Sequence, residues 1–177
     1  MSRYTFVPLT HIAGGSVMNN NKKNLKFEVR EIELDDLKNG YFSTLKNLSD
    51  LGTIEENTEK AEQILRNIST NPLHRIFVAI DKETSEVIGA TTLLIEQKFI
   101  HSGGKAGHIE DVVTRKGFQG LGIGSALIDH ALHFAMTVGC YKVVLDCSAA
   151  NIRFYEKTGF KVHETSMRYD LLESRSY

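Results

Sequence analysis

Residues 118–124, Phe-Gln-Gly-Leu-Gly-Ile-Gly, decide the fold of this chain. They follow a predicted strand at residues 107–114 and precede a long amphipathic helix. Alternating glycines remove side chains from a loop in which backbone N–H groups converge, and the helix adds the positive end of its dipole. This pattern predicts an anion site suited to a pyrophosphate. Taken alone, the glycines fit an ordinary permissive turn about equally well.

Two other phosphate-binding loops fit the sequence less well. A P-loop requires a lysine after its last glycine, whereas here Ser125 follows Gly124 directly. A Rossmann fingerprint has the spacing G-x-G-x-x-G, whereas the spacing here is G-x-G-x-G. Only Asp146 stands near the place of the acid that binds a ribose in that fold. Both alternatives are therefore discounted.

Size and composition indicate one globular domain. The chain has 177 residues and a formal net charge of −1, so we expect neither nucleic acid nor an anionic membrane as a partner. Cys140 and Cys147 are too few for a disulfide framework and predict reduced thiols in a cytoplasmic protein. We expect no membrane span, since no apolar run approaches about 20 residues, and no signal peptide.

The apolar pattern divides the chain into two parts. Residues 1–24 lack periodicity and are predicted to be a flexible N-terminal extension, which leaves residues 25–177 as the folded domain. The pattern predicts a mixed α/β fold. The predicted strands are 25–32, 75–81, 87–97, 107–114, 141–147 and one or two within 160–171, and the predicted helices are about 35–46, 55–68, 123–138 and 149–157.

Several segments resemble one family of enzymes. Gln119, Gly122 and Gly124 match the Q/R-x-x-G-x-G/A loop by which N-acetyltransferases of the GNAT superfamily bind acyl-CoA. Within that superfamily the chain resembles the glucosamine-6-phosphate N-acetyltransferases from about residue 27 to 167. The most specific part is IEDV at 109–112 with CYKVVLDC at 140–147. The other similar segments are IEQKFIHS at 95–102 and NIRFYEKTGF at 151–160.

The resemblance implies a fold, a reaction and an assembly. The fold is a central, twisted, mostly antiparallel sheet of six to seven strands, flanked by about four helices, with strands 4 and 5 splayed apart. The implied reaction is direct transfer of the acetyl group of acetyl-CoA to the 2-amino group of D-glucosamine 6-phosphate in a ternary complex, without a metal. This step belongs to UDP-N-acetylglucosamine biosynthesis. The implied assembly is a homodimer in which the final strand contributes to the partner's site.

By resemblance, the residues that contact acetyl-CoA lie on the strand at 107–114, in the glycine-rich loop and in the helix predicted at 149–157. Tyr155 is the predicted catalytic acid, whose phenol protonates the departing thiolate; a core aromatic is the alternative for this residue. Asn151 is a predicted contact to CoA, and its alternative is a residue near a helix cap. The full predicted set is Val112, Val113, Gln119, Gly120, Leu121, Gly122, Ile123, Gly124, Ser125, Asn151 and Tyr155.

Glu110 and Asp111 are adjacent acids on a predicted strand with apolar flanks. In a regular strand they face opposite sides, and a buried acid is costly, so we expect a bulge or a bound polar ligand. By resemblance both acids bind the amino sugar, and the N–H of Val112 or Val113 polarises the thioester carbonyl. The backbone carbonyl of Asp146 then helps to receive the amine proton. An edge strand with solvated acids is the alternative.

The sugar phosphate requires local cations. Lys98, His101 and Lys105 precede the acidic strand, and Ser49 resembles a hydroxyl contact of the family. The family has an arginine three residues after the position of Met167, where this chain has Asp170. We therefore predict that Arg168 replaces it, because the two positions share one strand face. Solvated surface residues are the alternative for the whole set.

Four further interpretations carry less weight. Cys147 is not expected to be a nucleophile, since no base is evident beside it, and His130 with His133 lack a third metal ligand. An acetyltransferase of a protein N-terminus or a polyamine shares the superfamily motifs but lacks support from the IEDV and CYK segments. The presence of Tyr155 disfavours a non-enzymatic regulator that only binds acyl-CoA.

Overall fold

Mostly apolar segments build a five-stranded sheet in the computed structural model, which describes residues 25–169. The strands are β1 (Phe27–Glu31), β2 (His74–Asp81), β3 (Val87–Gln97), β4 (Lys105–Thr114) and β5 (Cys140–Leu145). They lie in this order, with β1 to β4 antiparallel and β5 parallel to β4. The predicted mixed α/β fold with a mostly antiparallel sheet is confirmed.

Helices cover both faces of the sheet. They are α1 (Tyr41–Leu45), α2 (Thr58–Thr70), the short turn α3 (Ile100–Gly103), α4 (Ile123–Thr137) and α5 (Ile152–Lys157). On one face α4 buries Ile123, Leu127 and Ala131 against Phe77 and Leu93 of the sheet. On the other face α1 and α2 pack on β2 and β3, so the molecule has two apolar cores.

The prediction of one helix over residues 35–46 is wrong. A 3₁₀ turn at Leu34–Leu37 and the helix α1 take its place, and Gly40 separates them with a φ of 95°. A side chain at Gly40 would bring a Cβ atom to 3.1 Å from the carbonyl oxygen of Val87. Asp36 does not cap an α-helix; it is buried and accepts hydrogen bonds of 2.7 and 2.8 Å from the guanidinium of Arg30.

The sheet has fewer strands than the six to seven predicted. Residues 160–169, predicted to be strand, form no strand in the structure, and the predicted remainder of that strand lies outside the described residues. The side chains of Val162, Met167 and Tyr169 are 72%, 95% and 87% exposed. The physical reason is the lack of a neighbour, since a strand needs a paired edge to satisfy its backbone groups. The predicted extension, residues 1–24, also lies outside the described part.

The predicted splaying of strands 4 and 5 is confirmed. Their parallel pairing ends at Ile109 opposite Leu145, whereas β4 continues to Thr114. The crossover between the two strands passes through α4, as a parallel connection requires. The edge of β4 from Glu110 to Thr114 therefore has no strand partner beyond the end of β5, and we call the space beside this edge the cleft. Within residues 25–169, no helix is both long and apolar enough to cross a membrane.

Candidate active site

The glycine-rich loop ends at the first turn of α4, beside the cleft. Gly120 and Gly122 have φ values of 75° and 85°, in the left-handed region that favours glycine, and Gly122 is the N-cap residue of α4. The first intrahelical hydrogen bond runs from the N–H of Ala126 to the carbonyl of Gly122 at 3.0 Å. The N–H groups of Ile123, Gly124 and Ser125 therefore have no intrahelical acceptor, which is the arrangement that binds anions at helix N-termini.

Side chains around this loop fix its shape. The side-chain oxygen of Gln119 accepts a 2.8 Å hydrogen bond from the N–H of Gly117, so in the free protein this residue supports the loop. A Cβ atom at Gly124 would lie 3.1 Å from the ring of Phe154, so the helix start packs closely on α5. Asn47 accepts a 2.9 Å hydrogen bond from the N–H of Lys116, a support that the sequence alone did not reveal.

β4 contains a bulge, which is one of the two arrangements expected for its adjacent acids. Ala90 lies opposite Val113 and Thr92 lies opposite Glu110, so Asp111 and Val112 both face the single residue Thr91 of β3. Asp111 has a φ of 53°, in the left-handed region. Both adjacent acids are exposed as a result, and neither carboxylate enters an apolar core.

Three carboxylates influence one another at the cleft. Partial burial, followed by the charges of Asp111 and Asp146, raises the pKa of Glu110, although its side chain remains exposed. His108 opposes this effect and lowers the pKa of Glu110. Among the described residues, no group of three His, Cys, Asp or Glu side chains is placed to hold a metal ion. The negative site instead suits a ligand with hydroxyl groups and an amine.

Two residues that the sequence analysis did not select also interact with Asp111. Tyr41 is buried, and burial followed by the charge of Asp111 raises its pKa. Burial, followed by the charge of Arg75, lowers the pKa of His74, whereas Asp111 raises it. Both residues lie far from Asp111 in the sequence, and no local motif marks them.

Tyr155 lies on α5 with its ring buried between two aromatic neighbours. The ring centroids of Phe154 and Phe160 are 4.9 and 6.1 Å away. Burial, followed by an interaction with Cys147, raises the pKa of the phenol, so it stays protonated at neutral pH. Within residues 25–169 its hydroxyl has no hydrogen-bond partner. Asn151 occupies the N-cap position of α5 but makes no capping bond, so its side chain is also available to a ligand.

Asp146 directly follows β5, and residues 160–169 pass beside it. Its carboxylate accepts a 3.1 Å hydrogen bond from the hydroxyl of Ser166. A long groove runs between β5, α5 and residues 160–166, and its lining includes Tyr155 and Asp146. Arg168 lies on this same segment.

Each predicted phosphate contact has its own partners in the structure. Lys98 forms an ion pair with Glu96, which also bonds the ring of His108 at 3.1 Å. His101 has a φ of 52° and packs on the ring of Tyr141 at 4.3 Å. Lys105 donates a 3.1 Å hydrogen bond to the carbonyl of Val138, at the end of α4. Ser49 is exposed after α1.

Comparisons with known proteins connect this geometry to one group of enzymes. The pattern described as "Acetyltransferase (GNAT) family" matches residues 34–160. Glucosamine 6-phosphate N-acetyltransferase 1 of Dictyostelium discoideum is 36% identical over 133 residues, which cover 75% of this chain and 83% of that protein. Glucosamine 6-phosphate N-acetyltransferase of Arabidopsis thaliana is 37% identical over 134 residues, covering 75% and 89%. A crystal structure of the Arabidopsis thaliana enzyme matches with a TM-score of 0.79 at 32% identity, covering 82% of this chain and 99% of that one.

Proposed function

Because the chain belongs to the acetyltransferase (GNAT) family, and within it to the glucosamine 6-phosphate N-acetyltransferases, we propose that it acetylates D-glucosamine 6-phosphate. The acetyl group of acetyl-CoA is transferred to the 2-amino group, which gives N-acetylglucosamine 6-phosphate and CoA. The observation that carries this proposal is the placement of Glu110 and Asp111 at the β4 bulge, beside the cleft that ends at the helix N-terminus. The step supplies UDP-N-acetylglucosamine biosynthesis.

Acetyl-CoA, the cosubstrate, lies in the cleft between β4 and β5. Its pyrophosphate meets the N–H groups that start α4, where three unpaired donors and the helix dipole favour an anion. Its pantetheine arm runs along the backbone of Val112 and Val113, where β4 has no pairing with β5. Asn151 and Tyr155 contact the end of the cosubstrate that carries the thioester. The remaining predicted contacts are Gln119, Gly120, Leu121, Gly122, Ile123, Gly124 and Ser125.

The transfer proceeds directly from one substrate to the other. The neutral amine attacks the thioester carbon, and the N–H of Val112 or Val113 stabilises the oxyanion that forms. The nitrogen, positively charged after the attack, donates a hydrogen bond to the backbone carbonyl of Asp146 and loses a proton to solvent, which later reprotonates Tyr155. The carbon–sulfur bond then breaks, and Tyr155 donates its proton to the thiolate. Glu110 and Asp111 hold the sugar so that the amine faces the carbonyl.

The active enzyme is a homodimer with shared sites. Residues 160–169 have no regular secondary structure and expose Val162 and Met167, and they pair with no strand of the described chain. In the dimer this segment joins the partner's sheet, which satisfies its backbone and covers these apolar side chains. Arg168 then reaches the phosphate in the partner's site, where Lys98, His101, Lys105 and Ser49 are the other predicted contacts.

The proposed enzyme is cytoplasmic and has one acetyltransferase domain. Cys140 and Cys147 are both free thiols, which agrees with a cytoplasmic enzyme. Residues 25–177 form the acetyltransferase domain, and residues 1–24 precede it as an extension.

A panel of amines tests the proposed function. Acetyl-CoA is incubated with the protein and with glucosamine 6-phosphate, glucosamine, spermidine or a peptide with a free N-terminus, and released thiol is measured. Glucosamine 6-phosphate should be the best substrate, and glucosamine is the matched control that lacks only the phosphate. Faster turnover of spermidine or of the peptide would replace the proposed substrate. Binding of acetyl-CoA without transfer to any amine would support a regulator.

A further inference from the structure

The β4 bulge is held by a buried side chain from the neighbouring strand. Thr91 of β3 is fully buried, and its hydroxyl donates a 3.2 Å hydrogen bond to the carbonyl oxygen of Glu110. Thr91 is the residue that lies opposite both Asp111 and Val112. The bond therefore crosses between the strands at the point where the regular ladder is interrupted.

This bond reaches the backbone next to the bulge. Glu110 lies opposite Thr92, and the bulge begins at the next residue, Asp111. The hydroxyl of Thr91 supplies a donor to the carbonyl of Glu110 from a β-branched side chain, whose χ1 angle is restricted in a strand. The carbonyl of Glu110 is thus held toward β3.

The same bond supports a backbone conformation that aspartate adopts only at a cost. Asp111 directly follows the held carbonyl and has a φ of 53°. Left-handed non-glycine residues persist where the surrounding structure over-determines them. Holding the peptide between Glu110 and Asp111 sets the directions in which both carboxylates leave β4. It also sets the position of Val112, the next residue along the strand.

We propose that Thr91 is a positioning residue that fixes the β4 bulge through the carbonyl of Glu110 and so aligns the amino sugar with the thioester. The inference rests on the proposed function. Thr91 touches neither substrate, since it lies on the α4 face of β3 with Leu93 and Ile95 and is fully buried. Its effect on turnover passes through Glu110, Asp111 and Val112.

The test compares the removal of two similar hydroxyl groups. Thr91→Val removes the donor and keeps the branched shape, and Thr91→Ser keeps the donor. Thr44→Val is the matched control, because Thr44 is also fully buried and donates a 2.8 Å hydrogen bond to a backbone carbonyl of the sheet, that of Val87 in β3. Should Thr91→Val fail to fold, Thr91→Ala removes the same hydroxyl without adding a methyl group.

Turnover and amide exchange are measured for each variant. In Thr91→Val, kcat should fall about ten- to a hundredfold, the cost expected when a reacting group is misplaced by about 1 Å, while KM for acetyl-CoA stays within about twofold. Amide exchange should become faster in the peptide spanning residues 106–116. Thr91→Ser should restore most of the kcat, and Thr44→Val should lower the melting temperature with little change in kcat.

Two results would overturn the positioning role. One is a kcat for Thr91→Val within about twofold of that for Thr44→Val, and the other is faster amide exchange in β4 without a loss of turnover. Failure of the proposed function is a separate result, because the wild-type protein would then not acetylate glucosamine 6-phosphate. In that case the same comparison is made with whichever amine the wild-type protein accepts.

Discussion

Replacing Tyr155 with phenylalanine isolates the proton donation proposed for the departing thiolate. The substitution removes one oxygen atom and keeps the ring between Phe154 and Phe160. Because the hydroxyl has no partner within residues 25–169, the free energy of unfolding should change by no more than about 0.5 kcal/mol. If the phenol donates the proton, kcat should fall at least tenfold, or about 1.4 kcal/mol of activation free energy. KM for acetyl-CoA should change little, because the hydroxyl acts mainly as the thiolate leaves.

The pH dependence adds a second expectation for this residue. Burial raises the pKa of the Tyr155 phenol, so the donor stays protonated to higher pH than an exposed tyrosine does. The alkaline decline of kcat should therefore lie above the ordinary tyrosine pKa of about 10 and should disappear in Tyr155→Phe.

The assay measures released CoA thiol under both steady-state and single-turnover conditions. Single turnover matters because slow product release hides a loss in the chemical step. Tyr141→Phe is the matched control, since it removes the same atom from a tyrosine at the start of β5, whereas the proposed site lies beyond the end of that strand. A single-turnover rate for Tyr155→Phe equal to that of the wild type would refute the donor role and leave Tyr155 as a packing residue.

Three further predictions concern the other parts of the site. Cys147→Ala should keep most activity, and sequential initial-rate kinetics should be seen, because the transfer is direct; an acetyl-enzyme trapped on Cys147 would contradict this. The raised pKa of Glu110 means that the folded protein holds this proton more tightly than the unfolded chain does, so the stabilising effect is present at acid pH and is lost as the pH rises through the folded pKa. Glu110→Gln should therefore raise the melting temperature near neutral pH, with the gain vanishing below about pH 4.3; a gain independent of pH would argue against this cause. Arg168→Ala should raise KM for glucosamine 6-phosphate about ten- to a hundredfold, and mixed dimers with Tyr155→Phe should recover activity, since one site then carries both lesions and the other neither; no recovery despite proven subunit exchange would exclude a shared site.

The anion-binding start of α4 was predictable because its causes are local. Glycines at 120 and 122 permit left-handed backbone angles, and the apolar spacing of the following residues specifies a helix whose first N–H groups are unpaired. The bulge was also predictable in kind, because two adjacent acids between apolar residues do not fit a regular buried strand. Its register, with Asp111 and Val112 opposite Thr91, was not predictable, because it depends on a strand about twenty residues earlier.

Local sequence patterns did not reveal the contact that turns the chain at Gly40 or the partners of Lys98 and Lys105. The apolar spacing at residues 35–46 is compatible with one helix, but Gly40 approaches the backbone of Val87 and the chain turns there. Lys98 and Lys105 are close in sequence, yet Glu96 pairs with the first and the carbonyl of Val138 accepts a bond from the second. An ion pair or a hydrogen bond of this kind depends on which surfaces the fold brings together.

The sequence by itself determined the order of most elements, the glycine-rich start of α4 and the residue types of the proposed site, because backbone preference and apolar periodicity act over a few residues. Only the tertiary structure decided how the site is supported. The hydroxyl of Thr91 reaches the carbonyl of Glu110, and Asn47 meets the N–H of Lys116, across 19 and 69 residues of chain. It also decided that residues 160–169 are not a strand within this chain, because the alternating pattern of a strand does not supply the neighbouring edge that its backbone must pair with.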